Sequence, residues 1–234
     1  AKYGGRVSSV MDIQPKPANL YKTSGHWHTG LLSTDASLEL PLVKEKVSLS
    51  LNYRQTYIES FIKPLFKKTL NLDDEIYNSL VYDFYDMNGS LYINFGPKVK
   101  TKITGYLGQD GLVTVDVNNS LTNNIAWGNK ALSSNTSIAI NNNIESNLAL
   151  SYSGHDYFFQ TSFQQYDLQI ESYYKSYNLK YYFDQQTKLG NKWTYGIENN
   201  LIDLIPNNKS TSEEMFSYEY NDDNVFLLNT LSAF

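Results

Sequence analysis

Hydrophobic residues in this chain recur at every second position, and that period decides the fold class before anything else is known. Leu32, Thr34, Ala36, Leu38 and Leu40 alternate with Ser33, Asp35, Ser37 and Glu39. Val47, Leu49, Leu51, Tyr53 and Tyr57 share a face that only Gln55 interrupts, opposite Ser48, Ser50, Asn52, Arg54 and Thr56. Successive side chains of a strand point to opposite faces, so each run codes a strand with one apolar and one polar surface. The pattern returns with Val81, Tyr85, Met87, Leu91, Ile93 and Phe95, and again with Val99, Thr101, Ile103 and Leu107. Ile144, Leu148, Leu150 and Tyr152 make another stripe, with Ser146 and Ala149 out of phase. Tyr173, Tyr177, Leu179, Tyr181 and Phe183, then Trp193, Tyr195, Ile197 and Leu201, complete the set, while the stretch 127–140 alternates only weakly. No helical segment is required, although 64–79 has room for a turn or two.

The connections predicted between these runs are of two kinds. Short ones fall at 43–46, 96–98, 141–143 and 187–191; long polar ones are expected at 62–79, 109–125 and 206–223. Two architectures offer strands with one apolar face. A soluble sandwich buries that face against a second sheet. A membrane barrel turns it to lipid and keeps the polar face for its lumen. Runs of about 11–15 residues exceed ordinary sandwich strands, of about 5–6, and approach what a tilted bilayer-spanning strand requires. The alternation of short and long connections and the tyrosines near strand ends (Tyr53 and Tyr57, Tyr82 and Tyr85, Tyr181 and Tyr182) favour the barrel.

Composition narrows the function. Aromatics reach 15% with 20 tyrosines, charged residues only 18%, and the net charge is -5. The mean hydropathy is -0.44, and no apolar run approaches the ~18 residues of a membrane-spanning helix. A negative chain without a basic face does not suit nucleic acid. With 0 cysteines there is neither a disulfide framework nor a thiolate site. The chain opens at Ala1-Lys2-Tyr3 without a signal segment or initiator methionine, and reads as a piece of a longer polypeptide.

Several stretches carry a resemblance. Tyr3-Gly4-Gly5-Arg6-Val7-Ser8-Ser9-Val10-Met11-Asp12-Ile13 resembles the last plug strand of TonB-dependent outer-membrane transporters of the Bacteroidetes type. Gly30-Leu31-Leu32-Ser33, Leu38-Glu39-Leu40-Pro41-Leu42 and Lys44-Glu45-Lys46 are similar to that family's second barrel strand and first periplasmic turn. Tyr53-Arg54-Gln55-Thr56-Tyr57, Asp83-Phe84-Tyr85-Asp86-Met87-Asn88, Gly105-Tyr106-Leu107-Gly108 and Trp127-Gly128-Asn129-Lys130-Ala131-Leu132 follow in the family's order, over residues 1 to about 155. The resemblance implies a 22-stranded barrel filled by a plug and energised through TonB. On that reading residues 1–18 are the plug end and linker, and 19–234 the first ten or so strands of an antiparallel transmembrane wall. The expected function is uptake of a scarce ligand (siderophore, glycan, peptide or cobalamin) across the bacterial outer membrane. The alternative is a structural subunit of a larger outer-membrane complex. The implied partners are lipid, the rest of barrel and plug, TonB through a preceding segment, and a surface lipoprotein or larger assembly.

No catalytic constellation is visible, so no enzyme activity and no cofactor are expected. His26 and His28 share one strand face as a candidate metal pair, but no third ligand is near in sequence. The acidic clusters Asp73-Asp74-Glu75, Glu213-Glu214 and Asp222-Asp223 lack the glycine-punctuated ladder of a calcium loop and read as solvated loop charge. Asp35 and Glu39 are not an acid–base pair on spacing alone. Arg6 and Arg54 are expected to pair with carboxylates between plug and wall, Arg54 being the better candidate. No ligand-contacting residue can be assigned from the sequence.

Overall fold

A computed structural model describes residues 15–71, 79–116, 118, 120–164, 166–187, 190–212 and 225–234. Residues 1–14, with the expected plug strand and Arg6, lie outside the described residues, as do the acidic clusters at 73–75, 213–214 and 222–223. The described chain is all-β: ten antiparallel strands in one open sheet, each paired with its neighbours in sequence. They are β1 (Ser24–Thr29), β2 (Ser33–Val43), β3 (Val47–Thr56), β4 (Leu80–Asn94), β5 (Val99–Asp116), β6 (Leu121–Asn141), β7 (Ile144–Phe163), β8 (Tyr166–Gln186), β9 (Lys192–Ser212) and β10 (Phe226–Ala233). Among the described residues no helix is long and apolar enough to cross a membrane.

The β3–β4 connection holds the helical element the sequence left room for. A π-turn at Ile58–Ile62 leads into α1 (Lys63–Leu70). Pro64 lies in the first turn, where its missing N–H is no loss, and Asn71 closes the helix in the left-handed conformation. Glu59 pairs with Lys63 at 2.9 Å and accepts the Tyr82 backbone N–H, which ties the helix to the start of β4.

The expected connection at 109–125 is largely strand, and the described part of the one expected at 206–223 is strand as well. β5 runs to Asp116 and β6 starts at Leu121, leaving four residues between them; β9 continues to Ser212. β5 to β9 are 18–21 residues long rather than 11–15. The reason lies in how the two faces are composed.

In an antiparallel ladder, partners directly opposite share a face, so the register defines rungs. One rung reads Leu40, Leu49, Leu91, Ile103, Ser134, Leu150, Leu179, Asn199, Leu231 across nine strands. The neighbouring rung on the other face reads Ser24, Glu39, Ser50, Ser90, Thr104, Ser133, Ser151, Asn178, Asn200, Thr230 across all ten, with no apolar member. These two faces are the apolar and polar faces below.

The chain separation between partners in the apolar rung grows across the four short turns. It is 9 residues at Leu40↔Leu49, 12 at Leu91↔Ile103, 16 at Ser134↔Leu150 and 20 at Leu179↔Asn199. Half of that growth, spread over six strand steps, is a stagger of about 0.9 residue per strand. The last three turns are centred at residues 97, 142 and 189. Counted from these centres, the first charged residue on the apolar face is Asp83 at 14, Lys130 at 12, Asp156 at 14, Lys175 at 14 and Asp203 at 14 residues. β5 has none on that face. The apolar band therefore follows the turns and runs obliquely across the rungs.

Beyond the band the polarity exchanges. On the polar face Tyr82, Leu112, Ile125, Phe159 and Ile170 form an apolar run across β4 to β8, which ends at Lys209 on β9. Each long strand thus carries two alternations in opposite phase, and a search for one continuous stripe stops at the crossover.

A single sheet has no interior. Among the described residues the one buried apolar residue is Ala18, while Trp27 is 76% and Leu231 77% exposed. Residues 15–20 cross the polar face: Lys102 Nζ donates to the Pro15 carbonyl, Ser48 Oγ to the Ala18 carbonyl at 3.0 Å, and the Asn19 N–H to Glu39 at 3.0 Å.

Two glycines of this sheet should respond oppositely to a methyl group. At Gly196 an added Cβ would overlap the Tyr181 carbonyl oxygen and sit 2.5 Å from Tyr182 Cβ, whereas at Gly128 its nearest neighbour is the Gly108 carbonyl oxygen at 3.4 Å. Gly196→Ala should cost about 2 kcal/mol because the β8–β9 ladder must open to admit it, and Gly128→Ala should be neutral or slightly stabilising. Urea unfolding of the two variants in detergent micelles measures both.

A candidate functional surface on the polar face

One rung of the polar face brings several ionisable groups together. His28, Asp35, Arg54, Asp86, Gly108, Asn129, His155 and Tyr174 lie side by side on eight successive strands. The sequence disperses them over almost 150 positions; only the register assembles them.

Arg54 is the centre of the rung. Its Nε and a terminal guanidinium nitrogen reach the same Asp86 oxygen at 2.7 and 2.5 Å. Its guanidinium carbon lies 5.2 Å from the Phe84 ring centroid. Arg suits this place because its planar fork can hold a carboxylate and lie on a ring at once. Arg54 therefore has its carboxylate on the adjacent strand of the same sheet. Half of the guanidinium side remains exposed, so the cation is oriented and still open to a ligand.

The two flanks are built from an amide–imidazole pair and one mixed cluster. Asn129 and His155 Nδ1 are 3.0 Å apart. Gly108 lies beneath the Tyr106 phenol, whose oxygen occupies the space a Cβ would need. At the other end His28 Nδ1 is 3.0 Å and His26 Nε2 3.7 Å from the two oxygens of Asp35, and Ser37 Oγ is 2.6 Å from His26 Nδ1. The histidines are thus placed in a hydrogen-bonded group at the β1–β2 edge. Among the described residues no set of three His, Asp or Glu is arranged to hold a metal ion.

Nearer the turns the same face is a network of amides, hydroxyls and ion pairs, in which Asn147 Nδ2 alone among the described buried side-chain polar atoms of the face lacks a partner. Lys180 pairs with Glu198 at 2.8 Å, and the same carboxylate accepts Asn178 at 2.7 Å. Asn52 donates to Asn88, Ser137 to Asn147 and Ser176 to Asn200. Farther from the turns Tyr82 donates to Asp110 at 3.2 Å, at the border of the apolar rung. The face therefore grades from a polar network, through an oriented cation and histidines, to an apolar and aromatic zone. That sequence of surfaces can hold an amphipathic or aromatic solute by stacking and by charge-assisted hydrogen bonds.

Of the residues singled out from sequence, Asp35, Arg54, His26 and His28 meet on this face; Glu39 lies nearer the turns, where it anchors Asn19. Asp86, Asn129, His155 and Tyr174 were missed. No local motif marks them, and only correct pairing of strands more than 30 residues apart brings them beside Arg54.

The Arg54–Asp86 pair is half open to solvent, so its coupling should be modest, about 1 kcal/mol. A double-mutant cycle with Arg54→Ala and Asp86→Ala, read by unfolding free energy, should return that value, and high salt should reduce it because the exposed guanidinium is screened.

A scan against protein-family models finds no match to the chain, and a search of curated proteins finds none either.

Proposed function

We propose that this chain is part of the wall of an outer-membrane β-barrel receptor of the TonB-dependent kind, with the apolar face toward lipid and the polar face toward the lumen. The observation that carries the reading is the charge-free band. It begins within a few residues of the short turns and ends 12–14 residues from their centres on five strands. With a rise of about 3.3 Å per residue and a strand spacing of about 4.8 Å, the stagger corresponds to a tilt of about 32°, close to the 35–45° of barrel strands. Some ten charge-free residues then project to about 28 Å, against the apolar band of about 25 Å of such barrels.

Aromatics support the same orientation. Tyr181, Phe183 and Tyr195 form a ring-to-ring cluster near the turn end of the band, with centroids 5.1 and 5.6 Å apart. Tyr152 and Tyr177 meet at 5.2 Å near its other end. Two aromatic levels bordering a charge-free band are what membrane interfaces select. A sandwich needs a second sheet, and the described strands form one. The open edges at β1 and β10 call for further strands, since unpaired backbone groups in hydrocarbon cost several kcal/mol each.

In this role the chain works without covalent chemistry. A scarce ligand enters from outside and meets the aromatic zone first. Arg54 and the histidine-bearing rung lie deeper, where the wall faces the plug, and residues 15–20 bring the chain from the lumen onto the first strands. TonB, acting on a preceding segment, supplies the energy for opening a path beside this wall. The location is the bacterial outer membrane, and the partners are lipid, the remaining wall, the plug and the energising machinery.

The test is a pair of arginines on adjacent residues. Leu49→Arg should cost about 2–4 kcal/mol if it lies near the midplane, while Ser50→Arg should cost well under half of that, both measured by unfolding from lipid vesicles. Equal costs would reverse the assignment of the faces.

A further inference from the structure

Immediately beyond the charge-free band, the apolar face carries a cleft of about 380 Å3. We propose that it binds the uncharged sugar headgroup of an outer-leaflet amphiphile whose chains lie along the band below. The orientation rests on the membrane reading above; the cleft itself does not.

The cleft exists because β6 has almost no side chains there. Its floor is Ala126 and Gly128, and Gly128 stands in register with Gln109 on one side and Asp156 on the other. A Cβ at Gly128 would meet nothing closer than 3.4 Å, so the glycine is not forced by backbone crowding. What its hydrogen provides is depth. Tyr85 and Gln109 make one wall, Phe158 and Tyr173 the other. At the end nearer the band, Lys130 and Asp156 pair at 2.8 Å, beside Leu107. Glu171 lines the far end.

These groups select a ligand class. A pyranose has C–H faces that lie on aromatic rings and a rim of hydroxyls that both donate and accept. Tyr85, Phe158 and Tyr173 offer the rings; Gln109 and the Lys130–Asp156 pair offer fixed donors and acceptors. Lys130 is neutralised by Asp156, and Glu171 is offset by Lys175, whose ammonium lies 4.3 Å from the Tyr173 ring centroid, so the cleft presents no excess positive charge to a phosphate headgroup. The position selects the source. Lys130 lies 12 and Asp156 14 residues from the turn centre, at the level where lipid headgroups begin on the membrane reading. A headgroup seated there leaves its alkyl chain over Leu107, on the band.

The natural full-length protein, purified in octaethylene glycol dodecyl ether, is titrated with dodecyl maltoside, and retained maltoside is counted by native mass spectrometry. The two detergents share a C12 tail, so the readout is the headgroup. The parent should retain one maltoside against an excess of the ether, Gly128→Phe should lower retention at least tenfold by filling the floor, and Tyr173→Ala should lower it severalfold. Circular dichroism confirms that both variants keep the sheet. Equal retention by parent and Gly128→Phe, or equal retention of dodecyl phosphate and maltoside, overturns the proposal. Failure of the membrane reading registers elsewhere, as equal costs of arginine at Leu49 and Ser50, so the two are separable.

Discussion

Everything in this chain depends on the antiparallel ladder being satisfied within one layer. Among the described strands each forms its backbone ladder with its sequence neighbours alone, so the fold commits to a sheet whose two faces both need a medium. Adjacent rungs of opposite character, Leu40–Leu49–Leu91 and Glu39–Ser50–Ser90, prevent the sheet from slipping. A one-residue shift would exchange the faces along the whole strand. The same rule that fixes the register creates the demand for an apolar environment on one side and a wet one on the other.

The oblique border of the apolar band joins the sequence to that environment. If the strands stood upright, charges would end the band at a constant rung. Instead the rung of Met87 and Leu107 reaches Lys130, Lys175 and Asp203 within five strands. Measured from the turns, the border is level. A planar medium acting on tilted strands, as in the membrane reading proposed above, would produce this relation. On the proposed membrane reading the exchange of polarity beyond the border follows as well: past the band the apolar face would meet water, and the opposite face can carry Trp127, Phe159 and Ile170.

That exchange explains which parts of the fold were legible in the sequence. β2, β3 and β4 alternate in one phase over most of their length, and their limits agree closely with the reading from periodicity. The region 109–125 did not read as strand because Leu112 and Val113 present opposite faces while Gly111 and Asn123-Asn124 interrupt both stripes. Two phases of alternation average to none. The functional surface was legible only as single residues. Arg54 stood out as a cation on a polar face, but its partner is 32 positions away and is identified by the pairing Arg54↔Asp86 alone. His155 beside Asn129 and Asp35 between two histidines are likewise products of register, which composition does not encode.

The central claim, that a level medium selects the outward residues of tilted strands, is tested most directly by spin labels along β8. The chain has 0 cysteines, so single cysteines at each position from Tyr166 to Gln186 give unambiguous labels. In lipid vesicles, oxygen accessibility should peak at 177, 179, 181 and 183 and alternate with low values at the even positions. From 175 towards 167 the odd positions should instead become accessible to a water-soluble nickel complex. A single unbroken pattern of nickel accessibility along the whole odd face, or oxygen peaks at the even positions, would contradict the account.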